Sequence, residues 1–238
     1  MAERPILFNG AMVRAILAGR KTQTRRAMKP QPVSKPHSPD EHWVWDRGAR
    51  AMVGVEDFLL GPDPSVPGCF CPFGQPGDRL WVRETTVRVE EHGYLGPVHL
   101  ASEDGQACLD GGLAPSPDDF TEVEPHEIKL RPAIHMPRSM CRLVLEITGV
   151  RIERLHAGDG EVPYESRYLA EGINRIHHGD GDYYYSAFRD EPAPGNWADP
   201  FDAWRELWKS TGADWDSNPW VWVIEFKVAD RPQEMRHG

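Results

Sequence analysis

Between residues 20 and 26 the chain reads RKTQTRR, so Arg20, Lys21, Arg25 and Arg26 crowd around Thr22 and Thr24. The chain as a whole is acidic, with 27 Lys+Arg against 37 Asp+Glu and a net charge of −10. Concentrated positive charge in an acidic protein suits a solvated edge, a phosphate clamp or a catalytic site. Geometry constrains the last of these. Residues three apart on a regular strand point to opposite faces. Lys21 and Thr24 can converge only if Lys21 lies in the turn after Gly19, before the strand begins.

The elements around this stretch are legible. Ile6, Leu7 and Phe8 read as a short strand, and Asn9 suits the cap of a helix running to about Ala18. Met12, Val13, Ile16 and Leu17 share one face of that helix, and Gly19 suits the left-handed residue that ends it. From Arg20 the threonines favour an extended chain. A second strand is expected in PGDRLWVRETTVRV, with Leu80 and Val82 facing one way, Trp81 and Arg83 the other. A third lies in CRLVLEITGVRIERL, where Leu143, Leu145 and Ile147 alternate with Val144, Glu146 and Thr148. The last, NPWVWVIEFKV, is apolar on both faces and should be central in a sheet or a closed barrel.

Three insertions separate these strands, at about 27–76, 89–136 and 156–216. The first is rich in Pro and Gly, with breakers at MKPQPVSKP and GPDPSVPG and one short strand at HWVWD. The second reads as loop. The third carries two helices, one in PYESRYLAEGI ending near Gly172 and one in DPFDAWRELWKSTG. In the latter Asp199 caps, Pro200 fits the first turn, Phe201, Trp204 and Trp208 form a stripe, and Gly212 closes. Residues 231–238 form a tail. The result is a single α+β domain over residues 1–230, a mixed or mostly antiparallel barrel with peripheral helices, not a βαβ alternation.

Composition excludes several functions. A charge of −10 disfavours a protein that coats nucleic acid, because such binding runs on phosphate neutralisation, although a local basic cleft is compatible with it. No stretch approaches transmembrane length, and the N-terminal apolar run is interrupted by Asn9 and Arg14. A reducing cytoplasm suits the four cysteines, since Cys69 and Cys71 are too close to bridge easily and Cys108 and Cys141 complete no framework. No metal or other cofactor is expected. Cys69-x-Cys71 has the wrong spacing for a zinc knuckle, His177-His178 reads as surface, and GDGDYYY lacks the spacing of a calcium loop.

The pattern Gly19-x-Lys21-x-x-Thr24-x-Arg26 resembles the GxKxx[E/S/T]xR motif of the ASCH domain, a small β-barrel family related to PUA RNA-binding domains. GDRLWVRE, LVLEITGV and WVIEF follow in the expected order, in wording similar to phage and prophage ASCH proteins. The resemblance spans about half the chain in four blocks. It implies a PUA-like barrel with long loop insertions and a nucleoside, RNA or modified base as partner. The family includes a bacterial N4-acetylcytidine amidohydrolase, a ribonuclease-like branch and non-enzymatic RNA binders. Carried over from the amidohydrolase, the resemblance makes Thr24 the nucleophile, Lys21 the base and Glu146 the supporting acid/base.

Amide hydrolysis of this kind needs a Lys21 amine that is partly neutral, hence a pKa lowered by burial or by neighbouring cations. Arg20, Arg25 and Arg26 supply such neighbours and double as substrate-binding groups, whereas the Glu146 charge would oppose the lowering. Trp81 and Arg83 suit a pocket wall, although Arg83 and Glu84 also fit a plain charge pair. Trp220 and Trp222 read as core before they read as a stacking platform. Asn218 could read a base edge or hold its turn.

Overall fold

A computed structural model describes residues 2–46, 51–55, 71–115, 120–157, 164–179 and 181–229. Cys69, the breaker run 61–68, Asp180 and the tail 231–238 lie outside the described residues. The fold is α+β. In chain order it begins with β1 (Glu3–Leu7), α1 (Gly10–Leu17) and β2 (Gln23–Ala27), followed by β3 (Val33–Lys35), β4 (Ser38–Asp46) and β5 (Ala51–Gly54). Then come β6 (Arg79–Arg83), β7 (Thr86–Val87), β8 (Val98–His99), α2 (Glu103–Gly111), β9 (Leu130–Arg131) and the long β10 (Val144–Arg154). The chain finishes with α3 (Tyr164–Leu169), β11 (Asn174–His177), β12 (Tyr183–Ser186), α4 (Pro200–Ser210) and β13 (Trp220–Val228).

The chain divides into two compact units, each built from separated segments. The first comprises Met1–Gly19, Arg79–Glu146 and Val228–Gly238; the second comprises Arg20–Asp78 and Ile147–Lys227.

In the first unit β1 runs parallel to β6, from Glu3 opposite Arg79 to Leu7 opposite Arg83. The opening residues of β10 pair antiparallel on the other side of β6. Ile6, Leu80, Val82 and Leu145 are buried, and so are Val13 and Ile16 on the inner face of α1. The Asn9 side chain accepts from the Met12 backbone N–H at 2.9 Å, which caps α1 as its residue type requires. Residues 89–136 are more regular than the loop expected of them. β7 pairs with β8 and β9, and α2 packs beside them over a small core of Val87, Val89, Leu113 and Val123. Ser102 starts α2 by accepting from the Gly105 N–H at 3.2 Å.

In the second unit β13 lies between the remainder of β10 and β2. Val221, Trp222, Val223, Ile224 and Phe226 are all buried, so both faces of the strand are covered, as its apolar run requires. The insertion at 27–76 holds more than one strand: β4 pairs with β3 and β5, setting Trp43 opposite both Val33 and Gly54. The strands flanking β4 are three and four residues long, too short for alternation to reveal them. β11 and β12 form a hairpin. α4 starts as predicted, with Asp199 accepting from the Phe201 N–H at 2.8 Å. Its Trp204, Leu207 and Trp208 are buried, and Trp204 packs against Tyr168 and Trp215 at ring separations of 5.3 and 5.0 Å.

Gly19 adopts φ +73°, the left-handed conformation that stops α1. The chain then passes through Arg20, Lys21 and Thr22 before β2 starts at Gln23. Lys21 therefore stands outside the regular strand, the condition set above for Lys21 and Thr24 to converge.

Candidate functional site

Lys21 is the least expected residue of the second unit's interior, because its side chain has no solvent exposure. Lysine is almost never fully buried without a partner. Here the amine donates to the backbone carbonyl of Glu171 at 2.7 Å and to its carboxylate Oε2 at 3.0 Å. Two backbone N–H groups beside it, those of Thr22 and Gln23, donate to the Ala170 carbonyl at 2.9 and 3.1 Å. The start of β2 is thus fastened to the turn after α3, which carries Glu171.

Side chains then alternate along β2. Gln23 and Arg25 share one face, Thr24 and Arg26 the other. Arg25 donates through Nε and Nη2 to Glu153 Oε1 at 2.8 and 2.7 Å, and through Nη1 to Glu171 Oε1 at 2.8 Å. Its guanidinium lies 4.9 Å from the centre of the Trp204 ring. Glu153 Oε2 accepts from Arg151 and Arg167, each at 3.3 Å. Gln23 donates to the Arg167 carbonyl at 3.1 Å and accepts from Arg151 at 3.3 Å. Arg151 also pairs with Glu225 on β13.

This arrangement has electrostatic consequences. Burial pushes the Lys21 pKa below the ordinary lysine value. Glu171 acts in the opposite direction through its charge and its hydrogen bond, and the Arg26 and Arg25 charges add to the lowering. Burial also disfavours the Arg25 cation, but Glu171 and Glu153 outweigh it and raise that pKa. Thr24 is buried on β2, opposite Ile224 of β13. Arg26 is half-buried on the Thr24 face, close enough for its charge to act on Lys21 and to be acted on by Glu171.

The residues singled out from sequence separate into two groups. Arg20, Lys21, Thr24, Arg25, Arg26 and Asn218 belong to the second unit; Trp81, Arg83, Glu84 and Glu146 belong to the first. Arg20 hydrogen-bonds Asn174 at the start of β11. Asn218 holds its turn: it adopts φ +41°, and its side chain accepts from the His156 N–H at 2.8 Å. Trp222 is core, while Trp220 is half-buried with Arg154 stacked 4.6 Å from its ring centre.

In the first unit Trp81 carries Arg83 and Arg138 at 5.4 and 5.8 Å from its ring centre. Arg83 and Glu84 have separate partners. Arg83 donates to the Ile134 carbonyl, whereas the buried Glu84 receives two hydrogen bonds from Arg142, both at 2.9 Å. Glu146 is half-buried on β10, opposite Arg79.

The carboxylate bonded to Lys21 is therefore Glu171, which sequence reading did not select. A signal was present. Glu171 follows α3 within two residues and precedes Gly172 at φ +95°, placing an anion at a helix C-terminus where the helix dipole disfavours one. Such a local conflict marks a residue kept for another reason.

Among the described residues no group of three or more His, Cys, Asp or Glu side chains could hold a metal ion. Cys108 and Cys141 carry thiols, and no helix among the described residues is long and apolar enough to cross a membrane. Comparison with protein-family models, curated proteins and solved structures returns no match.

Proposed function

We propose that this chain is an ASCH-type protein with a PUA-like barrel that removes an N4-acyl group, such as acetyl, from cytidine or a related modified nucleoside. The supporting observation is the wholly buried Lys21 amine, with its pKa lowered and its hydrogen bonds made to Glu171. Burying a lysine costs more than burying a methionine of similar volume, and a buried ion pair is a poor source of stability. A lysine held there serves chemistry, and a lowered pKa is what a general base needs near neutral pH.

In this reading Thr24 Oγ attacks the acyl carbonyl while its proton passes to the neutral Lys21 amine. The tetrahedral adduct collapses, the bond from carbonyl carbon to N4 breaks, and the Lys21 ammonium protonates the departing amine. Water then attacks the Thr24 ester, again losing its proton to Lys21; the bond from the acyl carbon to Thr24 Oγ breaks, the Lys21 ammonium returns that proton to Oγ, and the products are cytidine and a carboxylic acid. Glu171 takes the supporting role first given to Glu146, fixing the amine through its 3.0 Å contact. Arg26, on the Thr24 face, is the candidate donor to the oxyanion. The Cys108 and Cys141 thiols suit a reducing cytoplasm.

The test separates enzyme from reader. Lys21→Ala and Thr24→Ala should abolish release of cytidine from N4-acetylcytidine while leaving its affinity within about tenfold, because both groups act mainly in the transition state. Loss of binding in Lys21→Ala, with no turnover by the native protein, would instead indicate a module that reads a modified base or RNA. Cleavage of an RNA backbone by the native protein would indicate a ribonuclease.

A further inference from the structure

Arg25 is not part of the four-residue motif pattern, yet its buried side chain is bonded to two carboxylates of the second unit. Its guanidinium spans two carboxylates, with Nη1 on Glu171 Oε1 and both Nε and Nη2 on Glu153 Oε1, all within 2.7–2.8 Å. A planar fork can hold two anions at a fixed separation; a lysine ammonium is a point charge and cannot. The far end of the assembly is anchored as well, because Glu153 Oε2 is bonded by Arg151 and Arg167. The Trp204 ring packs against the Arg25 guanidinium.

We propose that Arg25 is a positioning residue for the Lys21–Glu171 pair, holding the carboxylate oxygen that Lys21 does not use so that the lysine amine keeps a single-oxygen contact. This rests on the reading of Lys21 as a base. A glutamate with both oxygens available would turn them toward the ammonium and hold its proton more tightly. Arg25 removes one oxygen from that competition and adds a like charge beside Lys21. The charged groups acting on Lys21 include Glu171, Arg25 and Arg26. Those bonded to Arg25 are Glu171 and Glu153, with Arg151 and Arg167 behind Glu153.

The experiment follows the 15N resonance of the Lys21 side chain through a pH titration, assigned by its absence from Lys21→Met, alongside the pH–rate profile on N4-acetylcytidine. Arg25→Met leaves Glu153 without its central partner, so Arg25→Met is paired with Glu153→Gln to keep the interior closer to charge balance. Arg25→Lys, which retains a cation but reaches one carboxylate only, provides a milder version. In each folded variant the Lys21 titration is expected to move upward. Turnover at neutral pH should fall about tenfold in the Met variants and recover as the pH is raised, since neutral amine is lost tenfold for each unit of upward shift. A purely structural role would lower stability or rate without moving the titration. Lys21 titrating as in the native protein in the folded variants overturns the proposal. An upward movement in a protein that never releases cytidine supports the positioning role and removes only the amidohydrolase reading.

Discussion

Glu171→Gln neutralises the carboxylate bonded to Lys21 while nearly preserving its shape. The native side chain accepts from Lys21 at 3.0 Å and from Arg25 at 2.8 Å. Removing one partner of a buried ion pair costs about 3–5 kcal/mol when the remaining charge is left without compensation. Compensation here is partial. Lys21 keeps the Glu171 backbone carbonyl at 2.7 Å and Arg25 keeps Glu153, so the expected loss is about 2–3 kcal/mol. In a chain of this size that lowers the melting temperature by about 5–10 °C. The loss should also depend on pH. Glu171 raises the Lys21 pKa, so the amine of the variant gives up its proton at lower pH than in the native protein. Below that point the variant carries a buried ammonium lacking its carboxylate, and the deficit is full. As pH rises from the variant's Lys21 pKa to the native one, the native fold still holds a proton that the variant has released, and the gap between them narrows. The assay is urea denaturation of both proteins at several pH values. Glu146→Gln, at a half-buried strand position, should change stability by no more than about 1 kcal/mol. Equal effects from the two variants, or a Glu171→Gln deficit that grows with pH above the carboxylate range, would show that Glu171 does not balance the Lys21 charge.

Other expectations are simpler. Gly105→Ala would set a Cβ 2.2 Å from the His99 carbonyl oxygen and should destabilise the first unit by about 3 kcal/mol or more, as measured by denaturation. Gly19→Ala meets no neighbour within 4 Å, so its cost should be the left-handed backbone alone, about 1 kcal/mol. Asp199→Ala removes the cap of α4 and should cost about 1 kcal/mol by the same measurement. Glu171→Gln should slow release of cytidine by about a hundredfold, and Glu146→Gln should leave it nearly unchanged.

What could be read from the sequence was mostly local. Asn9, Gly19, Asp199 and Gly212 mark helix ends by residue type alone, and each occurs where its chemistry places it. The central position of β13 followed from an apolar run on both faces. Lys21 could be singled out because it sits among Gly19, Thr24 and Arg26 within eight residues. Its partner could not be found in this way, since Glu171 lies 150 residues further along and no local periodicity links the two. Arg25 read as a substrate-binding cation beside Lys21, and only the arrival of Glu153 and Glu171 from distant segments accounts for its burial. α2 was missed because EDGQACLDG contains two glycines and little apolar surface, though Ser102 followed by two acidic residues was a usable start signal.

Whether Lys21 serves as a base in deacylation is decided by incubating the purified native protein with N4-acetylcytidine across a range of pH and measuring released cytidine by chromatography. Turnover is expected to rise with pH and to level off once Lys21 is neutral, at a pH below the ordinary lysine range. No cytidine release from folded protein at any pH, or release that persists unchanged in Lys21→Met, would contradict it.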